Sequence, residues 1–292
     1  MNPRITVLTV TRNRAAMLAD AIESVRAQAG VSVEHIVVDG MSSDATPALL
    51  ARNPHLRVVR EPDEGLYDAL NKALRLATGD LVGFLNDDDR YAPGALRAVA
   101  AAHEGFDVVT GGALVLDDRG RVTRSWVGAR ETALTAANVL MRAPLLNARF
   151  FRRAWLARVG DFDTSYAIAA DRAWMLRVCL EAPRERVIPE VIYRYRAHDG
   201  SLTLDRAQRH LRLARTEHVR IAEATLERLP DDHLARGEIE RFHAWECLCA
   251  SILCARGGRA DESLAYLRRG IARDPRWPVA VASRLVRRAL AR

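Results

Sequence analysis

The sequence lacks the features of a membrane-spanning or disulfide-stabilised protein. It has no apolar run long enough to cross a bilayer, and its amino terminus leads into a predicted strand without a signal peptide. It has only four cysteines, three of them on one predicted helix and none with a histidine at zinc-finger spacing. We therefore expect buried thiols in a reducing compartment, and hence a cytoplasmic protein.

Lysine is nearly absent, since Lys72 is the only lysine among 44 basic residues. Most of the net charge of +7 lies in residues 205–292, which carry 18 arginines against 12 acids. No nucleic-acid-binding motif accompanies this charge, so we expect no nucleic acid partner. The last predicted helix, residues 279–292, mixes arginine with apolar residues. It is typical of a helix lying peripherally on the inner face of an anionic membrane, and equally of a solvated helix docked on the core.

Glycine motifs for nucleotide binding are also missing. No Gly-x-Gly-x-x-Gly follows the first strand and no Gly-Lys-Ser/Thr occurs, so dinucleotide and P-loop functions lose their main support. Instead, short apolar runs alternate with amphipathic segments, and we predict strands at residues 5–10, 33–38, 56–60, 81–85 and 106–111. This order predicts an α/β fold with a Rossmann-like, mostly parallel sheet flanked by helices.

From residue 205 onward the pattern is helical throughout. We therefore predict two domains, 1–204 and an all-helical extension over 205–292. Residues 243–256 and 260–273, separated by two glycines, resemble one tetratricopeptide-like hairpin. A single such unit cannot bury its own apolar face, so it is expected to pack on the first domain or on a second copy. The sequence predicts no oligomeric state.

The most informative stretch is an apolar strand, Leu81–Leu85, that runs into Asn86 and three consecutive carboxylates, Asp87, Asp88 and Asp89. Adjacent carboxylates repel one another unless they are solvated or share a cation, and oxygen ligands alone suit Mg²⁺ or Mn²⁺. Open α/β sheets bind ligands at the carboxyl ends of their strands. The alternative is an acidic surface turn that caps a helix starting near Pro93.

Several ordered motifs resemble those of the family 2 glycosyltransferases with the GT-A fold. They are Thr-Arg-Asn at 11–13, Val-Val-Asp-Gly-Met-Ser-Ser-Asp-Ala-Thr at 37–46, Glu-Pro-Asp-Glu-Gly-Leu-Tyr-Asp-Ala-Leu-Asn-Lys-Ala at 61–73, and Ala-Thr-Gly-Asp-Leu-Val-Gly-Phe-Leu-Asn-Asp-Asp-Asp at 77–89. The resemblance continues through 147–153, 160–163 and 169–177 and ends near 195–201. It implies an inverting enzyme that moves a sugar from a nucleotide diphosphate sugar.

The resemblance also implies roles for single residues. Asp88 is expected to bind Mn²⁺ or Mg²⁺, with Asp89 and His198 completing the metal site. Asn86 stands where the family usually has an acid, which puts tight metal binding in doubt. Asp171 is expected to be the general base, and its place near a helix start favours the ionised carboxylate. The residues alone, without the resemblance, favour a plain helix cap for Asp171.

The nucleotide sugar is expected to contact residues at the ends of the first, second and fourth strands and on the helix between them: Thr9, Thr11, Arg12, Asn13, Asp39, Asp68, Asn71, Lys72, Asn86 and Asp87. Without the resemblance, Asp39 reads as a turn residue, and Arg12, Lys72 and His198 read as solvated charges. Trp174 is expected to pack in the core or to stack on a sugar. The segment with Asn147, Arg149 and Phe150 is expected on the acceptor side.

The resemblance implies a metal-dependent transfer of a sugar to a glycan or lipid-linked acceptor, in the synthesis of a cell-surface polysaccharide. Two alternatives stay open. One is a nucleotidyltransferase on the same sheet, for which the loop at residues 11–13 is a poor match. The other is a non-catalytic nucleotide-sugar-binding module whose helical extension recruits partners.

Overall fold

The computed structural model describes residues 2–198 and 210–273, and it divides the chain into two compact units, Met1–Leu204 and Asp205–Arg292. The described strands form one sheet: β1 (Arg4–Thr11), β2 (Ser32–Asp39), β3 (Arg57–Arg60), β4 (Leu81–Phe84), β5 (Arg90–Tyr91), β6 (Val108–Leu116), β7 (Val122–Trp126), β8 (Arg149–Arg152) and β9 (Glu185–Arg196). The helices of the first unit are α1 (Ala15–Arg26), α2 (Thr46–Ala51), α3 (Leu66–Leu76), α4 (Ala95–Ala102), α5 (Ala129–Thr132), α6 (Ala136–Met141), α7 (Arg153–Leu156) and α8 (Ala170–Leu180).

The first half of the sheet is parallel, as the sequence predicts. Its strands lie in the order β3-β2-β1-β4, and every neighbouring pair is parallel. Strand β1 is buried on both faces from Ile5 to Thr11, which is why its sequence is a continuous apolar and β-branched run. The register sets Thr11 beside Asp39, so both residues lie at the same edge of the sheet.

The second half of the sheet is mixed. Strand β8 pairs antiparallel with both β4 and β6, β6 pairs parallel with β9, and β5 and β7 add antiparallel pairs. The strand predicted at residues 106–111 begins at Val108 and continues to Leu116. The pairing of Arg90 with Arg194 brings the end of β9 next to the acidic stretch.

An aromatic cluster fills the space between the sheet and α8. Trp174 is fully buried, packs edge-on against Phe84 and Phe151, stacks on Phe162 at 4.9 Å, and donates its indole N–H to Gly160 O. Of the two predicted roles for Trp174, the structure therefore shows core packing. On the opposite face of the sheet a glycine is needed at position 83, because a Cβ there would lie 2.3 Å from Phe150 Cε1.

The second unit is helical over its described residues, with α9 (Leu211–Leu226), α10 (Arg236–Arg256) and α11 (Ala260–Arg273). Helices α10 and α11 pack together across Gly257 and Gly258, and α10 begins seven residues before the predicted start at His243. No helix in the described ranges is long and apolar enough to cross a membrane. The predicted basic helix at 279–292 lies outside the described residues.

Candidate functional site

The carboxyl edge of the parallel strands gathers the polar side chains predicted from the sequence. Thr11, at the end of β1, donates its hydroxyl to Asp87 Oδ2 at 2.7 Å. Burial raises the pKa of Asp87 to about 6, against the hydrogen bond from Thr11 and with the help of the neighbouring Asp88 charge. Asp87 therefore faces the parallel strands, and its proton affinity is high for a carboxyl.

Asp88 faces a different group of partners. Its Oδ2 lies 2.8 Å from Arg14 Nη1 and 3.0 Å from His198 Nε2. Arg14 directly precedes α1, and His198 follows β9. In the sequence they are 74 and 110 positions away from Asp88, yet both contact the same Asp88 oxygen. The sequence pointed to Asp88 and His198, whereas Arg14 was missed although it directly follows the Thr-Arg-Asn motif.

Asp89 is turned into the protein. It is 3% exposed and accepts hydrogen bonds from Asn86 Nδ2 at 3.0 Å, Tyr193 Oη at 2.8 Å and the backbone N–H of Arg196 at 2.8 Å. Burial and the charge of Asp88 raise the pKa of Asp89 to about 7. Asn86 thus holds Asp89 in place, and this donor role is one that an aspartate at position 86 would lack when ionised.

The network around Asp89 extends deeper. Tyr193 Oη also accepts from the backbone N–H of Asn86 at 3.2 Å and from Asn147 Nδ2 at 2.8 Å. Arg149 is fully buried, and its guanidinium donates to the carbonyls of Leu145 and Thr132. The side chains of the segment expected on the acceptor side therefore lie in the interior, and Asn147 supports the acidic loop, residues 86–89, through Tyr193. Tyr193 was missed, although its alternation with Tyr195 on β9 signals one buried face.

The helix-cap alternative for the acidic stretch is wrong. Helix α4 begins at Ala95, six residues after Asp89, and its N-cap is Gly94, with no side-chain cap. Strand β5 lies between the acids and the helix. The three carboxylates are held at the carboxyl edge of the sheet instead.

A divalent cation fits part of this arrangement. Among the residues that the structure describes, no three histidine, cysteine or acidic side chains are grouped so as to hold a metal unaided. Asp88 and His198 approach one another closely enough to share one cation, whereas Asp89 is engaged by Tyr193 and Arg196. Mg²⁺ commonly takes one or two carboxylates together with phosphate and water oxygens, so Asp88 is the ligand that suits it and the His198 imidazole is the less usual one.

The predicted nucleotide side forms a polar loop system around the end of β2. Asp39 is fully buried, accepts from Ser42 N–H at 3.0 Å and pairs with Arg60 Nε at 3.1 Å. Asn13 has a positive φ of 55°, and its side-chain oxygen accepts from Ser43 N–H at 2.8 Å. Arg12 is exposed beside this loop.

Thr9 lies deeper along β1 than the other predicted contacts. It is fully buried, and its hydroxyl is 3.0 Å from His35 Nε2. Burial, together with the charge of His55, lowers the pKa of His35 to about 3, so this imidazole is neutral. Thr9 therefore contributes to the interior beneath the edge.

Helix α3 carries three predicted contacts, of which Asn71 faces the loop before α8, whereas Asp68 and Lys72 pair with each other. Asn71 is buried and exchanges two hydrogen bonds with the backbone of Phe162, at 2.9 and 2.8 Å, so it ties α3 to the loop before α8. Lys72 pairs with Asp68 at 3.0 Å and with Glu61 at 3.4 Å. The lone lysine is thus held by two acids.

Asp171 lies in the first turn of α8, whose N-cap is Ala169, so the helix-cap alternative for this residue is not what the structure shows. Its Oδ1 accepts from Arg172 N–H at 2.7 Å and lies 3.4 Å from Tyr67 Oη. Burial raises the pKa of Asp171, although the Arg172 charge and these hydrogen bonds oppose it. The expectation that helix placement would favour ionisation is therefore outweighed by burial.

The charges of Asp89 and Asp171 both act on Tyr195. Tyr195 packs against Tyr193 at 4.6 Å and against Trp126 at 6.3 Å. Burial, followed by the charges of Asp89, Asp171 and Asp88, raises its pKa. Tyr195 therefore packs next to the tyrosine that donates to Asp89.

The sequence of this chain is similar to a known protein family and to individual known proteins. The family model described as glycosyl transferase family 2 matches residues 6–158. A PGL/p-HBAD biosynthesis glycosyltransferase of Mycobacterium bovis is 31% identical over 192 residues, covering 62% of this chain and 71% of that protein. The succinoglycan biosynthesis protein ExoO of Rhizobium meliloti is 30% identical over 238 residues, covering 74% of this chain and 65% of that protein.

Among solved structures, a mannosyltransferase of Pyrobaculum calidifontis in complex with GDP-Man and Mn²⁺ has a TM-score of 0.61. It is 21% identical, and the match covers 98% of this chain and 80% of that one. The likeness shows that the two chains share a fold.

Proposed function

The chain belongs to glycosyl transferase family 2, and from this premise we propose that it is an inverting, metal-dependent enzyme that uses a nucleotide diphosphate sugar. The observation that carries the proposal is the meeting of Asp88 and His198 at the carboxyl edge of the sheet, 3.0 Å apart. This edge is where open α/β sheets bind their ligands. The mannosyltransferase of the same fold binds GDP-Man with Mn²⁺.

Asp88 and His198 would hold the cation, whose chemistry when bound is to neutralise charge on the leaving diphosphate. Asp87, held by Thr11, and Asp89, held by Asn86 and Tyr193, fix the loop that presents Asp88. Asp39 and the loop at residues 11–13 line the proposed nucleotide pocket, with Arg12 and Asn13 at its mouth. Lys72 and Asp68 border the same pocket from α3.

Asp171 is the proposed general base. An inverting displacement needs one base, which removes the proton of the acceptor hydroxyl on the face opposite the leaving group. A carboxylate with a raised pKa is a stronger proton acceptor than an exposed one, and burial supplies that increase here. Tyr67 and the Arg172 N–H fix the orientation of the carboxylate.

The acceptor is proposed from the relatives. Their names refer to PGL/p-HBAD and succinoglycan biosynthesis, so a glycan or lipid-linked acceptor in cell-surface polysaccharide synthesis fits this chain best. Such an acceptor would be met by a cytoplasmic enzyme, at the inner face of the membrane.

Incubating the chain with Mn²⁺ and a panel of UDP- and GDP-sugars tests the proposal. We expect hydrolysis of at least one donor, in which water takes the sugar and the nucleoside diphosphate is released, and loss of that release when EDTA is added. In a parallel incubation with a nucleoside triphosphate and a sugar phosphate, release of pyrophosphate would indicate a nucleotidyltransferase instead. Nucleotide binding without turnover of any donor would indicate a non-catalytic module.

A further inference from the structure

Arg14 occupies a position that the proposed function leaves unexplained. Its guanidinium donates to Asp88 Oδ2 at 2.8 Å and lies 3.8 Å from Asp87 Oδ1. The same Asp88 oxygen is 3.0 Å from His198 Nε2. Arg14 is therefore the positive charge that balances two carboxylates of the acidic loop.

The partners of this oxygen limit what else can bind it. A carboxylate oxygen offers about two lone-pair directions, and Arg14 and His198 already take both. A cation that binds Asp88 Oδ2 must displace one of the two. The guanidinium carries a permanent charge that repels a divalent ion, whereas a neutral imidazole is itself a metal ligand. When the cation binds Oδ2, Arg14 is therefore the group that leaves.

The surroundings of Arg14 give it somewhere to go. Its side chain is 30% exposed, so it can change rotamer without disturbing the packing of the core. A diphosphate bound at this edge would bring new negative charge next to the displaced guanidinium. Arginine binds phosphate oxygens through two parallel N–H donors, which makes it well suited to such an exchange.

Resting on the proposed function, we propose that Arg14 is a further substrate-contacting residue that exchanges partners at Asp88. It neutralises Asp88 before the donor arrives, yields Asp88 to the divalent cation, and then binds the diphosphate of the donor. Metal and nucleotide binding are thereby coupled through one side chain.

The exchange is tested by isothermal titration of the full chain with Mn²⁺ alone, and then with UDP or GDP at saturating Mn²⁺. Arg14→Gln should bind Mn²⁺ about tenfold more tightly than the wild type, since the competing charge is gone, and bind the nucleoside diphosphate about tenfold more weakly. Arg14→Lys, which keeps the charge, should stay within about threefold of the wild type for Mn²⁺. Arg26→Gln, at the opposite end of α1, is the matched control and should change neither affinity.

Unchanged or weaker Mn²⁺ binding by Arg14→Gln would overturn the exchange, as would equal effects of the Gln and Lys variants. A measurement on the wild type guards against a variant that does not fold. Titration with diamagnetic Mg²⁺ should shift the Arg14 Nε–H resonance, and a resonance that does not move contradicts the proposal. Since all these readouts are of binding, a chain that showed the exchange yet transferred no sugar would refute the proposed function alone.

Discussion

Replacing Asn86 by the aspartate usual in the family should destabilise the folded protein. Asn86 Nδ2 donates to Asp89 Oδ2 at 3.0 Å, and Asp89 is buried with a pKa raised to about 7. Asn86→Asp removes that donor and sets a second carboxylate against the first. The variant therefore tests whether residue 86 supports Asp89, as its contacts indicate, or binds the metal.

The size of the effect follows from the distance. Two ionised carboxylates 3.0 Å apart would repel by about 5.5 kcal/mol at an effective dielectric constant of about 20. One of them takes up a proton instead, so the observed cost is smaller. The lost hydrogen bond to a charged group alone is worth about 1.5–3 kcal/mol. We expect a loss of about 2–3 kcal/mol at pH 8, which lowers Tm by about 4–12 °C.

The pH dependence of the stability difference between Asn86→Asp and wild type identifies its cause. A carboxyl whose pKa is raised in the folded state destabilises the protein above that pKa, and the cost disappears as the pH falls towards the unfolded value. The gap between Asn86→Asp and wild type should therefore shrink between pH 8 and pH 5. Thermal unfolding at both pH values measures it, with Asn2→Asp as the exposed control. An equal Tm for variant and wild type at pH 8, or a gap that does not change with pH, would refute this reasoning.

Three further predictions concern other parts of the chain. Gly83→Ala places a Cβ 2.3 Å from Phe150 Cε1 and should cost about 1–3 kcal/mol in denaturant unfolding; an unchanged midpoint would contradict the packing. Burial would raise the pKa of Glu223, but hydrogen bonds from His243 and Arg269 outweigh it and lower the pKa to about 2. The stability that ionised Glu223 contributes should therefore be lost as the pH falls from 4.5 to 2. Glu223→Gln should abolish that loss in an acid titration followed by circular dichroism. Parallel profiles of stability against pH for the wild type and Glu223→Gln would contradict this role of Glu223. Arg172 donates to the carbonyls at the end of α6, and Arg172→Gln should lower kcat about tenfold with little change in donor KM, because it loosens the helix that carries Asp171; a purely KM effect would argue against it.

The sequence was sufficient to predict the parallel half of the sheet. Continuous apolar runs mark strands buried on both faces, and β1 is such a run from Ile5 to Thr11. The alternation of strands and helices then allows few topologies. The antiparallel part, where β8 joins β4 to β6, could not be predicted in this way, since short strands paired across long sequence separations leave no local signal.

The site was predictable as a location but not as a set of contacts. Asp87, Asp88 and Asp89 are consecutive, yet they face Thr11, Arg14 and Tyr193 respectively. A turn sends neighbouring side chains in different directions, and only tertiary packing decides which one stays open to a ligand. Asn71 shows the same limit. Its position in a family motif did not reveal that its side-chain amide exchanges two hydrogen bonds with the backbone of Phe162.

The central proposal is that Asp171 removes the proton of the acceptor hydroxyl while Asp88 anchors the donor. The most direct test is the turnover of Asp171→Asn with the donor selected from the nucleotide-sugar panel, alongside its donor Kd. We predict an unchanged Kd and a kcat lower by a factor of about 10² or more, since a lost general base typically costs about 10²–10⁴. Near-normal turnover by this variant would contradict the account.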